Sequence, residues 1–227
     1  MSIIAKQYLS VLERIRHAEQ TAGRTADAVK LLAVSKTKPL AMVDEVYQLD
    51  QRDFGENYLQ DALDKITNCQ HQDINWHFIG QIQSNKTRPI AENFSWVHSI
   101  DRAKIAHRLS EQRPTSLPPL QCCIQININD EASKGGADSL EDVLSLAEVV
   151  NSQDNLVLRG IMAIPEHSND IEVQRSNFAR VKSIFDVVQQ HYSSCDTLSM
   201  GMSGDLEAAI AEGTTMVRIG TDIFGAR

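Results

Sequence analysis

The chain has 227 residues, with 22 Lys+Arg against 30 Asp+Glu, a formal net charge of −8 with histidine neutral. An acidic chain without a basic cluster lacks the counterion release that drives binding to phosphate backbones, so no nucleic-acid partner is expected. Hydrophobic residues at 42% and charged residues at 23% are globular values, enough to bury a core without staples and inconsistent with global disorder.

No apolar run approaches the ~20 residues of a membrane-spanning helix, and MSIIAKQYLSVLERIRHAEQ interleaves charges where a signal peptide is continuously apolar. Cys69, Cys122, Cys123 and Cys195 form no CxxC pair and no metal-ligand spacing. A cytoplasmic protein with reduced thiols, no membrane and no metal site is the expectation. Asn93-Phe94-Ser95 matches a glycosylation acceptor by letter only, and a cytoplasmic location makes it irrelevant.

In chain order, Ile4, Tyr8, Val11, Leu12 and Ile15 make an amphipathic helix before the first β-rich run, Leu31 to Ser35. Pro39 suits the first turn of the next helix. A second run covers Asp53 to Gly55, and Leu59, Ala62, Leu63 and Ile66 form the stripe of a further helix. Runs three and four are Trp76 to Gly80 and Trp96 to Ile100, the latter followed by Asp101 as a candidate N-cap. Pro114 and Pro118-Pro119 mark a loop before run five, Cys122 to Ile128. Ser139 caps a helix striped by Leu140, Val143, Leu144 and Ala147; run six is Leu156 to Ile164, and Phe178, Val181, Ile184, Phe185 and Val188 stripe the helix after it. Thr197 to Met200 is run seven, and Leu206, Ala209 and Ile210 face one side of a helix that ends near Gly213. Met216 to Phe224 is the eighth run. Eight short runs alternating with helical stripes predict an α/β chain folded as one (β/α)8 TIM barrel over residues 1–227.

A parallel barrel carries its chemistry at the carboxyl ends of its strands. Lys36 follows LLAVS there, its stem among apolar neighbours and its amine at the mouth. A lysine amine of unperturbed pKa ~10.4 is protonated at neutral pH, and burial near other cations exposes a nucleophile able to form a Schiff base with an aldehyde. On its own a strand-end lysine also reads as a side chain reaching solvent. Ser199-Met200-Gly201-Met202-Ser203-Gly204-Asp205 then leads from the seventh run into a helix, offering N–H groups and hydroxyls as a phosphate cradle. Val217-Arg218-Ile219-Gly220-Thr221 adds a cation, a glycine for close backbone approach and a hydroxyl; loops seven and eight of such barrels often bind phosphate.

Asn57 and Glu56 close the second run, with Asn57 a donor for a ring hydroxyl. Gln81 and Ser84 to Lys86 lie after the third run, and Asn127 and Asn129 on the fifth. His77 offers a ring face to a planar cofactor, although a histidine within an apolar strand also reads as a satisfied core residue. Lys134, in DEASKGG, is by default a solvated charge with a second reading of holding or passing on a ligand. Two motifs fail: GQIQSNKT (80–87) has Asn85 where a P-loop needs glycine, and Ser35-Lys36-Thr37-Lys38 lacks the companion elements of serine acyl-enzymes.

LLAVSKTKP, FGENYLQ, WHFIGQIQSNK, VHSIDR, QININDEASKGG, GIMAIP, LSMGMSGDLEAAIAEGTTMVRIGT and IFGAR run in order through nearly the whole sequence. With them the chain resembles the pyridoxal phosphate homeostasis proteins (PLPBP/PROSC, YggS-like). That resemblance implies a fold-type III barrel like the N-terminal domain of alanine racemase, and a monomeric carrier of pyridoxal 5′-phosphate without established turnover. It makes Lys36 the Schiff-base lysine, Ser199, Ser203, Gly220 and Thr221 phosphate ligands, and places Asn57 near O3′. Arg218 falls beside the pyridine nitrogen or the phosphate; His77, Met200 and Gly201 complete the cofactor-binding set.

An arginine at the ring nitrogen can only donate, which leaves that nitrogen unprotonated and weakens the electron sink that carbanion chemistry needs. Alanine racemase works with such an arginine, so the argument lowers the expectation of catalysis without removing it. Racemases of that type also carry a β-rich C-terminal domain, and this sequence stops at Phe224-Gly225-Ala226-Arg227. The expectation is a carrier that stores, protects or delivers pyridoxal 5′-phosphate, with pyridoxal-phosphate-dependent apo-enzymes as partners. The alternatives are a racemase-like enzyme acting on small amino acids and a barrel binding a phosphosugar or nucleotide.

Overall fold

The computed structural model describes residues 1–128 and 136–226, so Asn129 and Lys134 lie outside the described residues. Its first half runs α1 (Ile3–Thr21), β1 (Lys30–Val34), α2 (Leu40–Tyr47), β2 (Asp53–Glu56), α3 (Leu59–Asn68), β3 (Asn75–Phe78), α4 (Thr87–Asn93) and β4 (Trp96–Ile100). The second half runs α5 (Ala103–Gln112), β5 (Leu120–Ile126), α6 (Leu140–Asn151), β6 (Leu156–Ala163), α7 (Ile171–His191), β7 (Thr197–Ser199), α8 (Leu206–Ala211), β8 (Met216–Ile219) and α9 (Thr221–Phe224). The eight strands form a closed parallel barrel in sequence order, with β1 paired to both β2 and β8. Among the described residues no helix is long and apolar enough to cross a membrane.

Parallel strands covered by helices bury both faces, so β1 after Lys30 and all of β4 are continuously buried, His98 and Ser99 included. The main core lies between the sheet and the helices, where Val43, Ile90, Leu109, Val150, Phe178 and Val181 close over the outward-facing strand residues. Helix α1 joins this layer by burying Tyr8, Val11 and Ile15 and packing against α8 and α9. Ser139 caps α6 as its sequence suggests, accepting from Asp142 N–H.

Three details depart from the sequence reading. Asp101 does not cap α5: Arg102 occupies that position, and Asp101 bonds Arg102 instead. Pro39 sits one residue before the first turn of α2, as its N-cap. The run Met216 to Phe224 splits, because Ile223 N–H and Phe224 N–H both fold back onto Gly220 O. The strand therefore ends at Ile219, and the buried Ile223 and Phe224 belong to a short helix.

The barrel interior has a different composition. Register places Gly55 beside His77, His77 beside Trp96, and Leu32 beside Arg218. Alternation of side chains then puts Asp53, Gly55 and Asn57 on that same inner face of β2, from its amino end to just beyond its carboxyl end. Trp96, Cys123 and Met162 form a small apolar cluster separate from the main core. His77 and His98, both fully buried, stand against Trp96.

Candidate functional site

A cleft of about 250 Å³ opens at the carboxyl ends of the strands, walled by residues following β1, β2, β3, β6, β7 and β8. Lys36, Asn57, Ser203, Arg218, Gly220 and Thr221 line it together. The volume lies just under the range of roughly 300–1,000 Å³ usual for drug-sized ligands, the scale of a single-ring molecule.

Lys36 rides on a turn that the rest of the fold holds in place. Ser35 extends the barrel ladder, its N–H bonding Gly55 O at 3.0 Å, and Lys38 N–H closes the turn on Ser35 O at 3.1 Å. Between them Thr37 takes φ +62°, the left-handed region a β-branched residue rarely adopts. Its N–H is held by Asp61 Oδ2 at 3.1 Å. Behind the barrel wall, Lys65 Nζ donates to Ser35 O at 2.8 Å, Glu56 Oε1 at 2.7 Å and Asp61 Oδ2 at 3.0 Å. Ser35 Oγ adds a bond to Glu56 Oε1 at 2.6 Å. Burial pushes the Glu56 carboxyl up, against the pull of Lys65 and Ser35. Two residues of α3 thus anchor the turn that presents Lys36.

Asn57 is crowded into the wall: a Cβ on Gly80 would lie 2.2 Å from Asn57 O, so only glycine fits there. Asn57 Oδ1 is buried without a hydrogen-bond partner, a condition that a ligand donor in the cleft relieves. Opposite, Gly220 packs so close that a Cβ would stand 3.0 Å from Val34 O. The loop after β7 is shaped by Gly201, whose φ of +94° disfavours a side chain and where an added Cβ would stand only 2.5 Å from Ala209 Cβ. Asp205 Oδ1 accepts from Met202 N–H at 2.6 Å. Arg14 of α1 ties the loops after β7 and β8 together, donating to Ser203 O at 3.2 Å and pairing with Glu207 and Asp222.

Arg218 forms the charged part of the wall. Its guanidinium donates to Ser199 O at 2.7 Å, Ser199 Oγ at 2.9 Å and Ala163 O at 2.9 Å. Burial lowers its pKa to about 10, with Asp205 and Cys123 pulling the other way. It stays a protonated, donor-only group at neutral pH.

Four of the sequence candidates do not line the cleft. His77 is fully buried, bonded to Asp53 and His98, and its ring stacks on Trp96 at 5.1 Å rather than on any ligand space. Ser199 is also fully buried, engaged by Arg218 and His98. Met200 is fully buried, and Gly201 is buried in the loop while its carbonyl holds Arg218 N–H at 3.0 Å. These residues support the wall from behind. Conversely, Thr37, Lys38, Ile79, Ile164, Met202 and Gly204 line the cleft without having been singled out as ligands. The apolar pair carries no chemical signal in a sequence, whereas Met202 and Gly204 lie within the segment already read as a cradle.

Residues 11–227 match the family described as alanine racemase, N-terminal domain. The chain is 57% identical over 227 residues to the pyridoxal phosphate homeostasis protein of Pseudomonas aeruginosa, covering 100% of this chain and 97% of that protein. It belongs to the pyridoxal phosphate homeostasis protein family. Among solved structures, PipY of Synechococcus elongatus with PLP bound is 32% identical and superposes with a TM-score of 0.80, covering 93% of this chain and 100% of PipY. Alanine racemase of Corynebacterium glutamicum, 15% identical with a TM-score of 0.69, shares the fold over 97% of this chain and 61% of its own.

Proposed function

We propose that this chain, as one domain, holds pyridoxal 5′-phosphate in the cleft at Lys36 and serves to store, protect or deliver it. The observation that carries the reading is the convergence in one cleft of the Lys36 amine, the Arg218 guanidinium and the Ser203, Gly220 and Thr221 loops. The partnerless Asn57 Oδ1 adds an acceptor in want of a donor, which the ring hydroxyl of that cofactor provides. PipY with PLP bound and the homeostasis proteins among the relatives support it.

When bound, the cofactor supplies an aldehyde that condenses reversibly with a primary amine, and a dianionic phosphate. Lys36 offers the amine. Ser203 and Thr221 offer hydroxyls, and Gly220 permits close backbone approach for the phosphate. Arg218 presents donors only, to a ring nitrogen or to an oxyanion. The phosphate is the lasting anchor and Lys36 the exchangeable end, an arrangement suited to a carrier whose recipients are pyridoxal-phosphate-dependent apo-enzymes. We read the protein as a cytoplasmic monomer without turnover of its own, acting on neither nucleic acid nor membranes.

Titration of the cofactor-free chain with pyridoxal 5′-phosphate and with pyridoxal tests this. The phosphate ester should bind far more tightly, and Lys36→Ala should lose the visible absorbance while keeping part of the affinity. Saturable turnover of D- or L-amino acids, abolished by Lys36→Ala, would replace the carrier with a racemase-like enzyme. A colourless protein indifferent to the cofactor would refute both.

A further inference from the structure

Inside the barrel, polar side chains join end to end, running from the partly exposed Asp53 through buried His77, His98 and Ser199. Asp53 Oδ1, at the amino end of β2, lies 3.0 Å from His77 Nε2; His77 Nδ1 lies 2.9 Å from His98 Nε2; His98 Nδ1 lies 3.2 Å from Ser199 Oγ. Ser199 Oγ in turn accepts from Arg218 at 2.9 Å. We infer that these four residues form a hydrogen-bond relay of fixed direction through the barrel, whose role is to orient Arg218 toward the ligand of the cleft.

The direction follows from donor counting. Burial favours protonation of Asp53, but the hydrogen bond from His77, with that from Asn75 and the charge of Lys30, works against it, and the carboxyl lies below its usual range. A carboxylate only accepts, so His77 Nε2 carries the hydrogen. Full burial holds His77 neutral despite Asp53, and its Nδ1 must then accept. His98 therefore donates through Nε2. Burial, with the nearby His77 and Arg218, keeps His98 neutral as well, so its Nδ1 accepts and the Ser199 hydroxyl must donate to it. Only the lone pairs of Ser199 Oγ are left, and they meet an Arg218 N–H.

Every member is satisfied in this one arrangement, and reversing any link leaves two donors or two acceptors facing each other. Such satisfied buried networks rigidify what they hold. The Ser199 hydroxyl hydrogen is committed to His98, so Ser199 and His98 are positioning residues that act through Arg218. Three of the five guanidinium N–H groups are fixed by Ser199 O, Ser199 Oγ and Ala163 O. The other two remain for a ligand acceptor. That last consequence rests on the function proposed above; the direction of the relay does not.

The first test is long-range proton–nitrogen NMR of the histidine rings in the ligand-free native chain at pH 7. Both rings should be neutral with the hydrogen on Nε2; an Nδ1–H tautomer or a doubly protonated ring at either position overturns the relay. The second test is His98→Phe, which fills the volume but neither donates nor accepts. Its dissociation constant for pyridoxal 5′-phosphate should rise about tenfold, with a changed Arg218 Nε–H resonance in the ligand-free protein; native affinity and an unchanged resonance contradict the positioning role. Should His98→Phe fail to fold, Ser199→Ala takes its place, with a several-fold rise expected and native affinity again contradicting the role. Were the native chain to bind no pyridoxal 5′-phosphate, the function above would fall, and the ring tautomers would still decide the relay.

Discussion

Replacing Lys65 by methionine probes how the fold presents Lys36. Lys65 is 5% exposed and Glu56 0%, with 2.7 Å between Nζ and Oε1. Removing the ammonium leaves Glu56 with only the Ser35 hydroxyl, and Glu56 Oε2 already lacks a partner. Stripping one member of a buried pair costs about 3–5 kcal/mol, because the surviving charge is uncompensated. Asp61, whose side chain is 38% exposed, recovers solvation and adds little to that figure. For a domain of this size each kcal/mol shifts Tm by roughly 2–4 °C, so Lys65→Met should melt roughly 6–20 °C lower. The Ser35 O contact is lost as well, so affinity for pyridoxal 5′-phosphate should fall with stability. Urea unfolding of Lys65→Met, Glu56→Leu and the double variant forms a mutant cycle. The account requires the double variant to be more stable than Lys65→Met, since it removes the stranded charge. A single-variant cost under about 1 kcal/mol, or strict additivity, would refute the reasoning.

Stability should also depend on pH through the buried histidines. Burial holds His77 and His98 below 6.5, so the unfolded chain takes up protons near 6.5 that the folded chain refuses. Their contribution to the unfolding free energy is therefore level above that pH and falls below it, by about 1 kcal/mol for His98 between pH 6.5 and 5.5 and by less for His77, which Asp53 pulls back up; pH-independent urea midpoints across this window would contradict the neutral rings. Arg14→Met should cost less than about 1 kcal/mol of stability, since the Arg14 side chain is 35% exposed. It should nevertheless weaken binding of pyridoxal 5′-phosphate several-fold while leaving pyridoxal unaffected, as calorimetry would show. Arg218→Gln should weaken cofactor retention in gel filtration more than Lys134→Ala does; equal retention would remove Arg218 from the site.

The barrel was legible because its signals are local. Apolar runs at Leu31, Trp96 and Leu156 and helical stripes at Leu59 and Phe178 each report their own element, and eight of them leave few architectures. The split of the eighth run was hidden, since Ile219, Ile223 and Phe224 are all buried and only the Gly220 turn separates strand from helix. Residues at strand ends could be read as facing the barrel mouth from position alone, and Lys36, Asn57 and Arg218 line the cleft there. His77 and Ser199, read the same way, are buried beside the cleft rather than lining it, because whether an inward side chain meets open space or a neighbour depends on register between strands far apart in sequence. His98 and Lys65 were missed for that reason: His98 matters through Ser199, 101 residues away, and Lys65 through Ser35, 30 residues away. Thr37 gave no signal either, since a threonine in left-handed conformation is dictated by the Asp61 bond rather than by propensity.

The most direct measurement of the central claim is mass spectrometry after borohydride reduction of the chain mixed with one equivalent of pyridoxal 5′-phosphate. A single phosphopyridoxyl group on the peptide containing Lys36, absent from Lys36→Ala, is the predicted result. No adduct, or modification spread over Lys38, Lys86, Lys104 and other lysines in proportion to exposure, would contradict it.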